Sequence, residues 1–108
     1  MDGLSFKAMN FMERHIGKII KSSKREFVWT FEIEQKVCYL VLKVSKFSGN
    51  YTVELNNKIL TKNNILYNED VNFTFKIKEL EFNLYRRGDS YELTIEGTVF
   101  KNFYEHDH

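Results

Sequence analysis

Proline is absent from the 108-residue chain, so every residue can donate a backbone hydrogen bond. Cysteine occurs once, as Cys38, which excludes an internal disulfide; the fold needs no oxidising compartment, and a cytoplasmic setting is expected. Long apolar runs are missing as well. The opening "MDGLSFKAMNFMERHIGKII" is broken by Asp2 and Glu13, which argues against a secretory signal or a membrane span, and no targeting address is visible. Excess charge of one sign is also lacking: 16 Lys and Arg against 15 Asp and Glu leave a net charge of +1. Electrostatic steering toward polyanions is therefore not a property of the whole chain, and no nucleic-acid partner is expected.

Signatures of chemistry are equally scarce. The chain has no glycine-rich phosphate loop, no Ser-His-Asp arrangement suggested by spacing, and no Cys or His pair at zinc spacing. Cys38 lies in an apolar strand run, where a thiol is inert. The tail "EHDH" has ligand types for a metal ion, with His106 and His108 joining the distant His15. Ligands on a free chain end make a weak site, and a solvated tail is the preferred reading. "RRGDS" reads as a hairpin turn rather than an adhesion motif. No catalytic residue, metal site or cofactor is assigned, and the chain is not expected to be an enzyme.

What is present in quantity is aromatic side chains, 16% of residues, in a repeating pattern. At the observed length one domain is the default. In "WTFEIEQKVCYLVL", Trp29, Phe31 and Ile33 alternate with polar residues, and the pattern returns forty-four residues later as "FTFKIKELEFNLYR", led by Phe73, Phe75 and Ile77. Each run reads as a strand with one buried face followed by a second strand, hence a hairpin. "YTVELNNKIL" and "YELTIEGTVF", forty residues apart, repeat a further motif of strand, tight turn and short strand, with Asn56-Asn57 and Glu96-Gly97 in the turns. "KFSGN" and "RRGDS" fall at the turns inside each half, and "TKNNILYNED" at the crossing between halves. One small sheet has an apolar face with nothing to bury it against, whereas two copies cover each other. The expected fold is therefore mainly β: an antiparallel β-sandwich of about eight strands built from two similar four-stranded halves, preceded by one N-terminal amphipathic α-helix. The expected organisation is a helix and linker over 1–25, a sandwich domain over 26–104 with halves at about 27–60 and 71–103, and a flexible tail over 105–108.

The residues that lead the first strand, the Ser48-Gly49 turn, and the Tyr91 to Gly97 run "YELTIEG" together resemble proteins related to the Fas apoptotic inhibitory molecule. The resemblance covers roughly residues 27–103 and none of the first twenty-five. Where that pattern would place a glycine in the first hairpin turn, this chain has Gln35. The resemblance implies an antiparallel β-sandwich and a cytosolic, non-enzymatic protein that contacts other proteins, in a family linked to control of cell death and protein aggregation. The Asn- and Lys-rich composition implies a divergent member.

Two features bear on binding. Helical spacing of Met9, Met12, Ile16, Ile19 and Ile20 predicts an amphipathic helix over roughly Ser5 to Ser22, with Lys7, Arg14, Lys18 and Lys21 on its other side. Charge is uneven along the chain, with six basic against two acidic residues up to Arg25 and ten against thirteen beyond it. The second feature is "VCYLVL", which is apolar on both strand faces, unlike "LEFNLY" with its Glu81 and Asn83. One face meets the core, and Met9, Met12 and Ile16 are expected to cover the other. Met9, Met12, Ile16, Ile19, Lys7, Arg14, Lys18 and Lys21 are the candidate partner-binding residues. The leading function class is a non-catalytic protein–protein interaction module, an adaptor or small subunit, monomeric or homodimeric, with its partner unidentified. Alternatives are peripheral attachment to an anionic membrane through the basic helix, and a small-ligand-binding sandwich, which the heavy aromatic filling disfavours.

Overall fold

A computed structural model of the chain describes residues 5–18, 20, 23–65 and 70–105, without the side chains of 104 and 105. Nine strands form two antiparallel sheets. Strands β1 (Phe6–His15), β2 (Lys24–Ile33), β3 (Lys36–Ser45), β4 (Asn50–Leu55) and β5 (Lys58–Asn64) make a five-stranded meander. A four-stranded meander follows, from β6 (Asn72–Ile77), β7 (Leu80–Arg87), β8 (Ser90–Ile95) and β9 (Thr98–Val99), and a short helix, α1 (Lys101–Glu105), ends the described chain. The expected mainly β fold is present, and β2 to β5 and β6 to β9 have the same strand order.

Alternation decides which residues are buried. Phe27, Trp29, Phe31 and Ile33 of β2, Cys38, Leu40, Leu42 and Val44 of β3, and Tyr51 and Val53 of β4 all point inward. Leu80, Phe82 and Leu84 of β7 and Leu93 and Ile95 of β8 supply the facing wall. Rings meet across the gap, Phe31 with Phe82 at 5.4 Å between centroids and Phe27 with Tyr91 at 4.9 Å. Each sheet thus hides the apolar face of the other.

Tight turns fix the register. Five hairpins close with two-residue loops: Glu34-Gln35, Asn56-Asn57, Lys78-Glu79, Gly88-Asp89 and Glu96-Gly97. Gln35 takes φ of 70°, the left-handed region that glycine usually supplies, and its predecessor Glu34 takes 52°. The β3–β4 connection is longer and turns at Gly49, whose φ is 77°. The expected crossing segment begins later than its sequence suggested, because β5 continues through Asn64. Two-residue turns place Glu34 and Lys78, forty-four residues apart, at matching hairpins of the two sheets, where they form an ion pair at 2.8 Å.

The main correction concerns the N-terminal segment. Residues Phe6–His15 form a strand hydrogen-bonded to β2, not part of the amphipathic helix expected over Ser5 to Ser22, of which residues 19, 21 and 22 lie outside the described residues. The physical cause is a β-bulge between Ala8 and Asn10. Phe6 and Ala8 face the core at strand spacing, the extra residue Met9 shifts the alternation, and Phe11 becomes the next inward residue. Three-residue spacings from Ala8 to Phe11 and from Met9 to Met12 imitate a helical stripe. The inward residues are well used: Ala8 is buried, and Phe6 packs on Phe31, Phe82, Phe100 and, at 4.8 Å, on Phe103 of α1.

Candidate interaction surface

The outer faces of the two sheets differ in chemistry. On the four-stranded sheet, outward residues are Thr74 and Lys76 of β6, Glu81, Asn83 and Tyr85 of β7, Glu92 and Thr94 of β8, and Val99 of β9, with the Tyr85 hydroxyl donating to Glu92 Oε1 at 3.0 Å. Asn83 is held by its own neighbours, its Nδ2 donating to Asn72 Oδ1 at 3.0 Å and to Thr74 Oγ1 at 2.8 Å. This face is a largely polar surface with satisfied hydrogen bonds.

The five-stranded sheet presents something else. Cross-strand register aligns Met12 with Val28, Val28 with Val41, Val41 with Glu54, and Glu54 with Ile59, so one row crosses all five strands and is apolar at every position but one. Tyr39 and Val37 stand beside it, opposite Thr30 and Glu32. Exposure is high for such residues: 42% for Met12, 41% for Val37, 52% for Tyr39 and 49% for Ile59. Contiguous exposed apolar surface of this kind marks interaction sites more often than scattered single residues do.

Charges on this face are internally matched. Arg14 donates through Nε to Glu26 Oε1 at 2.8 Å, and its Nη2 contacts the same oxygen. Lys43 pairs with Glu54 at 3.6 Å, and Lys7 sits opposite Glu32 in the β1–β2 register. Glu26 is only 7% exposed, an ionisable carboxylate covered on the outside of a sheet and balanced by Arg14. The patch is thus an apolar row in a near-neutral frame.

The predicted partner-binding residues are redistributed by the strand. Lys7, Met12 and Arg14 reach the outer face together, and Met9 stands on the bulge with 44% exposure. Ile16 and Lys18 lie beyond the strand end, lining a concavity described below. Ile19 and Lys21 lie outside the described residues. Met9, Met12 and Ile16 do not cover "VCYLVL", whose outward Val37 and Tyr39 are exposed. Residues left off the expected set are Val28, Val37, Tyr39, Val41 and Ile59; the two-sided apolarity of "VCYLVL" was the signal that pointed at three of them.

Cys38 faces inward and is buried. Burial pushes its thiol pKa above the ordinary 9.0, against a smaller opposing effect of the hydrogen bond to Asn56, so the thiolate needed for nucleophilic chemistry is suppressed. His15 ends β1, 3.8 Å from Glu13, while His106 and His108 lie outside the described residues. Among the described residues no three His, Cys, Asp or Glu side chains gather as metal ligands, and no helix is long and apolar enough to cross a membrane.

Comparisons with known proteins return no match: no family model, no curated protein and no solved structure corresponds to this chain.

Proposed function

We propose that the protein is a non-catalytic protein-interaction module, an adaptor or small subunit of a larger assembly, with the outer face of the five-stranded sheet as its contact surface. The observation that carries this reading is the contrast between two outer faces built on the same strand order, one largely polar and self-satisfied, the other crossed by Met12, Val28, Val41 and Ile59. Because Arg14 and Lys43 are already paired with carboxylates, the face offers little net charge to a partner. It therefore fits an apolar, near-neutral protein surface, whether on another protein or on a second copy of this chain. The sequence likeness to the Fas apoptotic inhibitory molecule family supports the same class, and with it a cytoplasmic setting and a role in cell-death control or proteostasis.

The test is a pair of double variants. Val37→Lys with Tyr39→Lys puts two charges in the middle of the patch at exposed positions, where the folded state should lose no more than about 1 kcal/mol. Thr74→Lys with Thr94→Lys places the same charges on the other sheet. Light scattering of the full chain over a concentration series, and co-purification from its own cells, should show association lost in the first variant and kept in the second. Equal association in both variants contradicts the proposal.

A further inference from the structure

The two ends of the strands differ in charge. At one end lie the hairpin turns Glu34-Gln35, Asn56-Asn57, Lys78-Glu79 and Glu96-Gly97, where Glu34, Glu79 and Glu96 are offset by Lys36, Lys58 and Lys78. At the other end lie the Gly88-Asp89 turn, the β1–β2 connection and the β3–β4 turn; Asp89 stands there, but no Asp or Glu occurs from Arg14 to Arg25 or from Gln35 to Val53. A backbone hydrogen bond joins these two segments, Lys46 N donating to Ser23 O at 2.7 Å, and Ser23 N donates to Ile20 O at 2.9 Å within the first. They form one continuous surface rather than two separate loops.

Its chemistry is basic with apolar tips. Phe47, at 71%, is the most exposed of the large apolar side chains among the described residues, and Ile20 is 52% exposed. Beside them is an open concavity of about 400 Å³ whose lining includes Lys18, Lys24 and Lys43 around Ile16, Val44 and Tyr51. Among the described residues no carboxylate lines it. Lys43 is drawn toward Glu54, but among the described residues Lys18, Lys24 and Lys46 take part in no ion pair. A phenylalanine held at a turn tip, with lysines set back around it, has the layout of a group that enters the interface of a bilayer while ammonium groups stay level with the headgroup phosphates.

We infer that this loop end docks on an anionic membrane surface, with Phe47 and Ile20 entering the headgroup region, Lys18, Lys24 and Lys46 binding lipid phosphates, and the strands standing away from the bilayer. The near-neutral turns at the far end then point away from the lipid. The outer sheet face is left free in this orientation, so membrane docking and protein contact use different surfaces. A basic helix plays no part, because that segment is a strand.

Vesicle sedimentation of the full chain tests this with phosphatidylcholine vesicles, with and without phosphatidylserine. Binding is expected only to the mixed vesicles and should weaken with added salt. Lys18→Gln, Lys24→Gln and Lys46→Gln combined should lower the partition coefficient about 100-fold. The same change at Lys58, Lys76 and Lys101 should leave it within about threefold. All six side chains are exposed, so melts of both variants are expected to match that of the parent chain. Because Trp29 is 2% exposed, its emission will not report on lipid, so Phe47→Trp supplies the depth probe and should shift to the blue on mixed vesicles alone. Absence of binding to mixed vesicles at low salt overturns the inference. So does an equal loss from the two lysine sets, or binding to short duplex DNA that exceeds binding to vesicles under the same conditions.

Discussion

Trp29 and Phe73 occupy equivalent positions in the two meanders, but their surroundings differ. Trp29 is 2% exposed because β1 covers its strand on the sheet's open side, and Phe11 lies 5.1 Å away, centroid to centroid. Phe73 is on β6, an edge strand, and is only half-buried. Trp29→Ala should therefore cost about 3–5 kcal/mol, a large part of the roughly 5–15 kcal/mol that holds a domain together, and Phe73→Ala about half that. Urea melts of both variants check the order; a Phe73→Ala loss equal to that of Trp29→Ala would contradict it. From the sequence the two aromatics look interchangeable, since alternation identifies the inward face but not how many strands flank it.

Titration at the same scale gives a pH dependence. Burial raises the pKa of Cys38 above 9.0 and those of Tyr51 and Tyr91 above 10.0, while burial and then Glu92 raise that of Tyr85 above 10.0. A raised pKa means that the folded state holds the proton more tightly than the unfolded one, so the associated stability is complete below the ordinary value and is lost as pH rises through the folded value. Thermal melts should be flat from neutral pH to about 9 and fall steadily above it, and Cys38→Ala should delay the onset toward the phenol range. A melting temperature unchanged up to about pH 11 would show that these groups ionise without resistance from the fold.

At the scale of elements, β1 decides most of what differs from the sequence reading. The four hairpin strands of each meander were legible because alternation, broken only by a register shift at Leu60 of β5, and short polar turns leave few other registers. β1 was not, because one bulge changes the period within a single strand and a segment with 3-residue spacings is then indistinguishable from a helix by pattern alone. Substituting glutamate at neighbouring positions separates the alternatives. Ala8 is 2% exposed and faces the core, so Ala8→Glu buries an unpaired charge and should leave the protein largely unfolded. Met9 is 44% exposed on the bulge, so Met9→Glu should change stability by no more than about 0.5 kcal/mol. Similar melts for the two variants would be inconsistent with the β1 register. The interaction surface was half legible for the same reason: "VCYLVL" announced an outer apolar face, while Met12 and Ile59 joined it only through a pairing that local pattern does not encode.

At the scale of the whole molecule, which is 45 Å long and 27 by 26 Å across, a repeated strand plan carries three surfaces of different character. One sheet exterior is largely polar, the other has an apolar row, and the strand ends at one pole are basic. The inner faces of the two meanders had to stay apolar to cover each other; the outer faces were under no such constraint and diverge. The central claim is that the apolar exterior is occupied by another protein surface when the protein works. The most direct measurement places a photo-crosslinking amino acid at Tyr39, beside that row on the central strand β3, or at Asn83, in the middle of the opposite exterior, and illuminates the full chain in its own cells. The account predicts one discrete adduct from position 39, either with a second copy or with one other protein, and none from position 83; equal yields from the two positions, or none from position 39, would contradict it.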